Sequence, residues 1–423
     1  MSPNTSETNR PITVVIVLDH ANVTGGQARV AFDSARGLKR AGHRPIVFAA
    51  AGPIDPSIEA EGIELICLGQ SDLLSDPSRV RAAVQGLWNV AAARRLRDLL
   101  ASLPADETIV HVHGWAKALS PSIAGPIVES GMPAVYTVHE YFLFCPNGGF
   151  YNYRSQRACA LKPMSLQCLT TNCDSRSYSQ KLWRSARQAI MHDFARLPLA
   201  FGDFITISKF QRDLVAGKLP AAAAIHDVSN PVAVADLGPK RGAATGDIVF
   251  IGRLAQEKGP LLFAEAARLA GIVPVFVGDG PIAGEIVANF PEARLLGWKG
   301  TEEVAALMRA ARAIVFPSLW YEGQPLTVME AKALGTPVVV SDGCAGREEI
   351  EDGVAGLWFR NGDVASLAAA LTKLADDTFI ESLSKGAYES FWSNPPSLAR
   401  HIDALVQIYR QMLARSAPRA SAA

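Results

Sequence analysis

Short, almost wholly apolar runs rich in Val and Ile alternate with longer helical patterns along most of this chain, and few folds tolerate that rhythm. Ile12 to Leu18 (ITVVIVL) is apolar almost throughout, as a strand covered on both faces must be. Ala28, Ala31, Phe32, Ala35 and Leu38 then recur at helical spacing, and Gly42 stands where a helix stop belongs. Pro45 to Ala49, Ile63 to Cys67, Ile109 to His113 and Ala134 to His139 read as further buried strands. Helical stretches separate most of them, which is the signature of a parallel sheet wound with helices.

The rhythm breaks between Glu140 and Ser177, a loop rich in Cys, Asn, Arg and aromatics. Loops of that length in compact domains are usually functional or mobile. A basic helix at Lys181 to Leu197, a strand at Phe204 to Ile207 and a helix from Ser208 restore the pattern. From Asn230 to Gly246 the composition turns to Pro, Gly, Ala and Lys, as in a domain linker. A second series follows, with strands at Ile248 to Ile251, Val273 to Val277, Arg294 to Leu296, Ala313 to Phe316 and Val338 to Val340. Its helices start at Pro260, Pro281, Thr301 and Pro325, and three more follow Gly362. The expected fold class is α/β: two Rossmann-like, doubly wound domains facing a central cleft. They span 11–230 and 247–395, joined by a linker at 231–246, with a last helix at 396–416 packing back on the first domain.

A chain of 423 residues is too long for one ordinary core and suits two. Basic and acidic residues balance at 41 each, so no net field points to nucleic acid. The longest apolar runs fall far short of the ~20 residues that a membrane span needs. The polar start, Met1 to Arg10, reads as a frayed tail and not as a signal peptide. Six cysteines in a chain this size suggest no disulfide scaffold, and a reducing, cytoplasmic setting is the default. Peripheral contact with the inner face of a membrane stays open.

Pro317 to Val340 (PSLWYEGQPLTVMEAKALGTPVVV) carries the densest chemistry. A strand ends at Phe316, a loop carries Glu322-Gly323-Gln324, and Pro325 opens a helix where its missing N–H costs nothing. The amides of Gly323, Gln324, Leu326 and Thr327 then face the carboxyl end of a parallel sheet, a ready anion site. Glu322 and Glu330 flank it. Carboxylates repel phosphate but accept hydrogen bonds from hydroxyls. A phosphate site bordered by two hydroxyl acceptors describes a nucleotide sugar. The bland alternative makes Glu330 a solvated helix face and Glu322 a cap.

Gly252-Arg253-Leu254 and Lys258-Gly259 leave the first strand of the second domain beside the same crevice. Two fixed cations there can hold a diphosphate and stabilise the charge that grows as the sugar departs. A surface pair of Arg253 with Glu257 is the alternative. Val277-Gly278-Asp279-Gly280 invites a dinucleotide-binding reading, but the next glycine is Gly284, and the following strand ends at Leu296-Gly297 with no ribose-binding carboxylate. Gly278, Gly280 and Gly297 read better as turns lining a base pocket. Thr24-Gly25-Gly26 lets backbone approach a ligand at a helix start, or is a plain tight turn. His139 and Glu140 sit where a strand ends on the crevice side.

These strings resemble the large retaining glycosyltransferase family four, which has the GT-B fold. The marks are Glu322-x7-Glu330, Gly252-Arg253 with Lys258-Gly259, and the Gly25-Gly26 loop. The resemblance implies that Glu322 contacts the donor sugar, Glu330 the ribose, Arg253 and Lys258 the diphosphate, and that His139 touches the donor sugar near the reacting carbon. It implies retention of anomeric configuration without a divalent metal and a role in polysaccharide or glycolipid assembly. Glu140 departs from the family, which often has Asp there. The residues agree on the metal: Arg253, Lys258 and helix amides can replace Mg2+, and no Asp-x-Asp pair lies beside them. No first-domain carboxylate stands out as a nucleophile, so front-face substitution fits. The expected substrates are a UDP-, GDP- or ADP-sugar and a glycan or lipid-linked acceptor. An epimerase or phosphorylase of the same fold, and a non-catalytic partner subunit, are the rival readings.

Two features stand apart. Cys145, Cys159, Cys168 and Cys173 fall within one loop; four thiolates could hold a structural Zn2+, although no Cys-x2-Cys pair occurs, and free thiols or an occasional disulfide are the alternatives. Arg176 to Arg196 carries Arg176, Lys181, Arg184, Arg187 and Arg196 with Trp183, Ile190 and Phe194 interspersed. That segment either touches an anionic bilayer or packs on the first sheet with a solvated basic face.

Overall fold

The computed structural model describes residues 10–416; the tail expectation for Met1 to Arg10 lies, Arg10 apart, outside the described residues. Two parallel sheets carry the chain. The first is built from β1 (Thr13–His20), β2 (Arg44–Ala51), β3 (Glu64–Gln70), β4 (Thr108–Val112) and β5 (Ala134–Thr137). A small antiparallel hairpin, β6 (Tyr151–Asn152) with β7 (Arg157–Ala158), follows in the cysteine loop. β8 (Asp203–Thr206) and β9 (Ala224–Asp227) complete the first sheet, whose order is β3-β2-β1-β4-β5-β8-β9. The second holds β10 (Ile248–Ile251), β11 (Val275–Val277), β12 (Arg294–Leu295), β13 (Ala313–Phe316), β14 (Val338–Ser341) and β15 (Gly356–Phe359) in the order β12-β11-β10-β13-β14-β15.

Every residue of β1 is buried, because both faces of the sheet are covered. Val14, Ile16 and Leu18 face one core with Ala31 and Phe32; Val15 and Val17 face the other with Leu96 and Trp115. In each sheet the crossovers reverse direction at one place: between β1 and β4, and between β10 and β13. Loops leaving adjacent strands part there and open a crevice at the carboxyl ends. That topology selects the loops after β1, β4, β10 and β13 as site-builders.

The last helix, Leu398–Ser416, joins the first core. Ile402, Leu405, Tyr409 and Met412 pack with Val14 and Ile16, and a Cβ on Gly37 would stand 2.4 Å from Ile402. Arg415 Nη2 grips both oxygens of Asp203 at 2.5 and 2.7 Å, and His401 Nε2 meets Ser34 Oγ at 3.0 Å. The linker side is pinned too, by Val232 N donating to Pro396 O at 2.9 Å. β9 and β15 are edge strands that the apolar-run pattern does not announce: β9 is only half-buried (AIHD) and β15 exposes Trp358.

The basic segment departs from the expectation of a packed helix with a solvated basic face. Its helix runs Tyr178–Ala189 and ends in a π-helical turn, Ile190–Phe194. Lys181 and Arg187 point inward and are buried, so the basic face is not simply solvated.

Candidate active site

The loop after β13 brings Glu322 back toward Lys258 from the loop after β10. Lys258 Nζ donates to Glu322 Oε1 at 2.5 Å, and Ser318 Oγ donates to the same oxygen at 2.9 Å. The Lys258 ammonium also lies over the Trp320 ring, 5.2 Å from its centre. Glu257 is buried and accepts from Arg253, whose side chain stays 62% exposed; the plain ion pair is therefore formed, and its cation remains reachable from solvent. Gly259 (φ +70°) caps this turn where a Cβ would strike Pro317 O at 2.1 Å, which ties the two loops into one unit.

The helix after this loop is Leu326–Ala333, with Pro325 as its cap and not its first residue. Val328 N is the first amide to find an acceptor, Pro325 O at 3.1 Å. The amides of Leu326 and Thr327 precede it at the positive end of the helix dipole. Gly323 abuts the first domain: a Cβ there would meet Gln211 Nε2 at 2.7 Å and Ile207 at 3.0 Å. Gln324 turns its side chain away, accepting from Asn230 N at 2.7 Å and donating to Met329 Sδ at 3.2 Å. It pins the linker.

Glu330 faces across the seam. Arg29 of the Gly26–Arg40 helix approaches its carboxylate to 3.6 Å, and burial pushes the Glu330 carboxyl above its ordinary range against the opposing pull of Arg29. Arg29 carried no signal of its own in the sequence. A Cβ built on Gly26 would lie 3.8 Å from Leu326 Cδ1, so the Gly25-Gly26 loop stands over the start of the Leu326–Ala333 helix. Gly25 has nothing within 4 Å of such a Cβ. Its loop borders a cavity lined by Asp19, His20, Thr24, Gln27 and Lys117.

Gly252, Gly278, Gly280 and Gly297 gather at the carboxyl ends of β10, β11 and β12. Gly278 (φ +132°) donates to Gly297 O at 2.8 Å, and a Cβ on it would sit 2.0 Å from Gly252 O. A Cβ on Gly280 would sit 2.3 Å from Leu254 O. Backbone passing over backbone therefore explains these two glycines before any ligand does.

His139 lies just past β5, where its N–H folds back to Thr137 O. Its Nε2 meets His113 Nδ1 at 2.9 Å, with the rings stacked 5.1 Å apart. His111 continues the row, held by Tyr409 and Thr137 at 2.6 and 2.7 Å. Burial pushes His139 down to about 3, so it is a neutral imidazole at working pH. Glu140 is pushed up to about 7 by burial, against the pull of Lys117, and its Oε1 finds no partner. Asp19 accepts from the amides of Ala118 and Leu119 at 2.7 and 3.0 Å. Its signal was its position at a strand's carboxyl end, the rule that singled out His139.

The cysteine loop reaches the same seam. A Cβ on Gly149 would stand 2.8 Å from the Trp320 ring, and Phe150 meets Tyr321 edge-on at 6.5 Å. The four cysteines of the zinc expectation are brought near one another with a lysine in their midst. The buried ammonium of Lys181 lies among the thiols, 3.4 Å from Cys168 Sγ, where a second cation would be repelled. Among the described residues no three His, Cys, Asp or Glu are grouped as metal ligands, and all six cysteines are free.

Two facing Rossmann-like domains with cations, carboxylates and helix amides at both switch points define a GT-B transferase. Family models agree. Residues 24–235, half of the chain, match "Glycosyltransferase Family 4", and residues 245–377 match "Glycosyl transferases group 1". The chain belongs to glycosyltransferase family 4 and is a hexosyl-transferring enzyme. It is 29% identical over 377 residues to an Escherichia coli UDP-Gal:alpha-D-GlcNAc-diphosphoundecaprenol alpha-1,3-galactosyltransferase, covering 83% of this chain and 89% of that one. It is 26% identical over 377 residues to glycogen synthase of Mycobacterium tuberculosis, covering 84% and 83%. Among solved structures, HepE of Anabaena with UDP and glucose superposes with a TM-score of 0.67 at 15% identity, covering 95% of this chain and 100% of that one. TarM does so at 0.68 and 12%, covering 95% and 99%.

Proposed function

We propose that this enzyme moves a hexosyl group from a nucleoside-diphosphate sugar to a lipid-linked or glycan acceptor, with retention of anomeric configuration. The observation that carries the reading is the convergence at the seam: Lys258 with Glu322, Arg29 with Glu330, and the open amides of Leu326 and Thr327. In this reading Lys258, Arg253 and the helix amides receive the diphosphate, and no divalent metal is used. Each offers positive charge to the oxygen that becomes anionic as the glycosidic bond breaks, where fixed charge does most for the rate. Glu322 and Glu330 accept hydrogen bonds from sugar and ribose hydroxyls. Engaging the donor draws Lys258 partly from Glu322 to phosphate and frees carboxylate oxygen for a hydroxyl.

Neutral His139, with its ring set by His113, offers a hydrogen bond at the reacting face without carrying charge. The acceptor hydroxyl attacks from the face that the diphosphate leaves, and the departing phosphate oxygen takes its proton. Peripheral contact with a membrane surface accompanies a lipid-linked acceptor; no helix among the described residues is long and apolar enough to cross one.

The test is release of nucleoside diphosphate from UDP-, GDP- and ADP-hexoses with a mixture of glycolipid acceptors, followed by NMR of the product anomer. An inverted product refutes retention. Isomerised donor in the absence of acceptor indicates an epimerase instead. A donor that binds but never turns over indicates a binding subunit.

A further inference from the structure

A second cavity lies in the first domain, away from the donor helix. It encloses about 270 Å³ between the helices Arg79–Leu87 and Tyr178–Ala189. Its walls mix cations (Arg79, Lys117, Arg176, Arg187) with the apolar side chains of Leu73, Phe142 and Trp183.

Arg187 is the telling residue. Its side chain is 3% exposed, and its hydrogen bond runs to a neutral acceptor, Ala116 O at 2.7 Å. Its Nε is buried without a partner. The guanidinium is sandwiched by Trp115, Phe142 and Trp183, with ring centres 4.9 to 5.4 Å away. Glu140 and Asp19 act on it through space but neither hydrogen-bonds it; a buried guanidinium with an unmet donor is costly, and here it lines an open cavity. The one carboxylate of the lining, Asp72, is already engaged by His20 at 3.0 Å and by the amides of Leu74 and Ser75 at 2.7 Å each. Arg184 is taken by Asp174 and Asn147. Arg176 and Lys117 lie exposed at the edge.

We propose that this cavity is the acceptor subsite, and that it takes a phosphoester anion joined to an apolar chain. Arg187, Arg176, Arg79 and Lys117 meet the anion. Leu73, Phe142 and Trp183 cover the first apolar carbons, and exposed Leu74, Val80, Val84 and Leu182 on the same elements extend the apolar path outward. Lys117 lines both this cavity and the one beside Gly25. The phosphoester is therefore placed one residue from the transfer site, next to the sugar that receives the new linkage. The proposal rests on the transferase reading above and names the chemical class of its acceptor.

The test uses the full chain and three probes: farnesyl phosphate, farnesol and inorganic phosphate, each titrated against tryptophan fluorescence, since Trp183 lines the cavity. Farnesyl phosphate should bind at least about tenfold more tightly than either part alone, the scale of one charge-assisted contact. The exposed pair R79A/R176A should lose about tenfold in that affinity, while its donor-induced rise in melting temperature stays that of the wild type. Equal binding of farnesol would reduce the cavity to an apolar groove, and equal binding of inorganic phosphate to a free-phosphate site; either overturns the proposal, as does undiminished affinity in R79A/R176A. Failure of every nucleotide sugar to raise the melting temperature would instead sink the transferase reading and leave the probe result standing.

Discussion

Replacing Glu322 with Gln separates what this carboxylate does for the fold from what it does for the reaction. Gln keeps the shape and can still accept from Ser318, now 2.9 Å from Oε1. It loses the ionic half of the contact with Lys258. Exchanging a charge-assisted for a neutral hydrogen bond costs about 1 kcal/mol. The Lys258 side chain is 26% exposed, so solvent screening lowers that further. Catalysis should suffer more. A fixed group that acts where charge and hydrogen bonding change in the transition state is worth ~10²–10³ in kcat, or about 3–4 kcal/mol. The assay is nucleoside-diphosphate release under saturating donor and acceptor, paired with a melting curve. The expected outcome is a fall in turnover of at least about a hundredfold with a small change in melting temperature. Turnover within about threefold of wild type, which is under 1 kcal/mol, would refute the assignment.

Three further outcomes follow from single residues. Gly25→Ala should leave the unbound protein's stability within about 1 kcal/mol, because its φ of 163° is extended backbone and its Cβ meets nothing; donor affinity, read by calorimetry, should nevertheless fall, since the methyl adds bulk to the loop that borders the cavity beside Asp19 and Lys117. Glu140 has a folded pKa near 7, raised from 4.5, so the native state holds the proton more tightly and stability is lost as pH rises through that window, by roughly 3 kcal/mol at pH 8; Glu140→Gln should flatten this part of the pH–melting curve, and an unchanged slope would contradict it. Metal analysis of the purified protein should find less than about 0.2 zinc per chain, since a structural site would be near one; stoichiometric zinc would mean that Lys181 does not hold the place among the thiols.

The central strands and the loop after β13 were legible because their physics is local. A strand buried on both faces must be largely apolar, and β10, β13 and β1 from Val14 to Leu18 are. Edge strands can escape that rule: β9 is half-wet, and β15 is a four-residue strand that exposes Trp358, so neither makes a long apolar run. Glu322, Lys258 and Glu330 stand on loops and a helix start whose spacing alone points to an anion site. Arg29 could not be found that way, because its role is set by a helix from the other domain packing opposite Glu330. Arg187 misled for the converse reason. Charge in a helix predicts a wet face, but three aromatic rings from separate segments stack on this guanidinium and bury it. The histidine row needs β4, β5 and the last helix to be neighbours, which only the tertiary fold decides.

Calorimetric titration of nucleotide sugars into wild-type protein and into Lys258→Ala addresses most directly whether cations and carboxylates at the seam grip one donor. One UDP-, GDP- or ADP-hexose should bind the wild type with a defined stoichiometry of about one, and Lys258→Ala should weaken it by at least about tenfold. Binding that Lys258→Ala leaves untouched, or no binding of any such donor to folded wild type, would contradict the account.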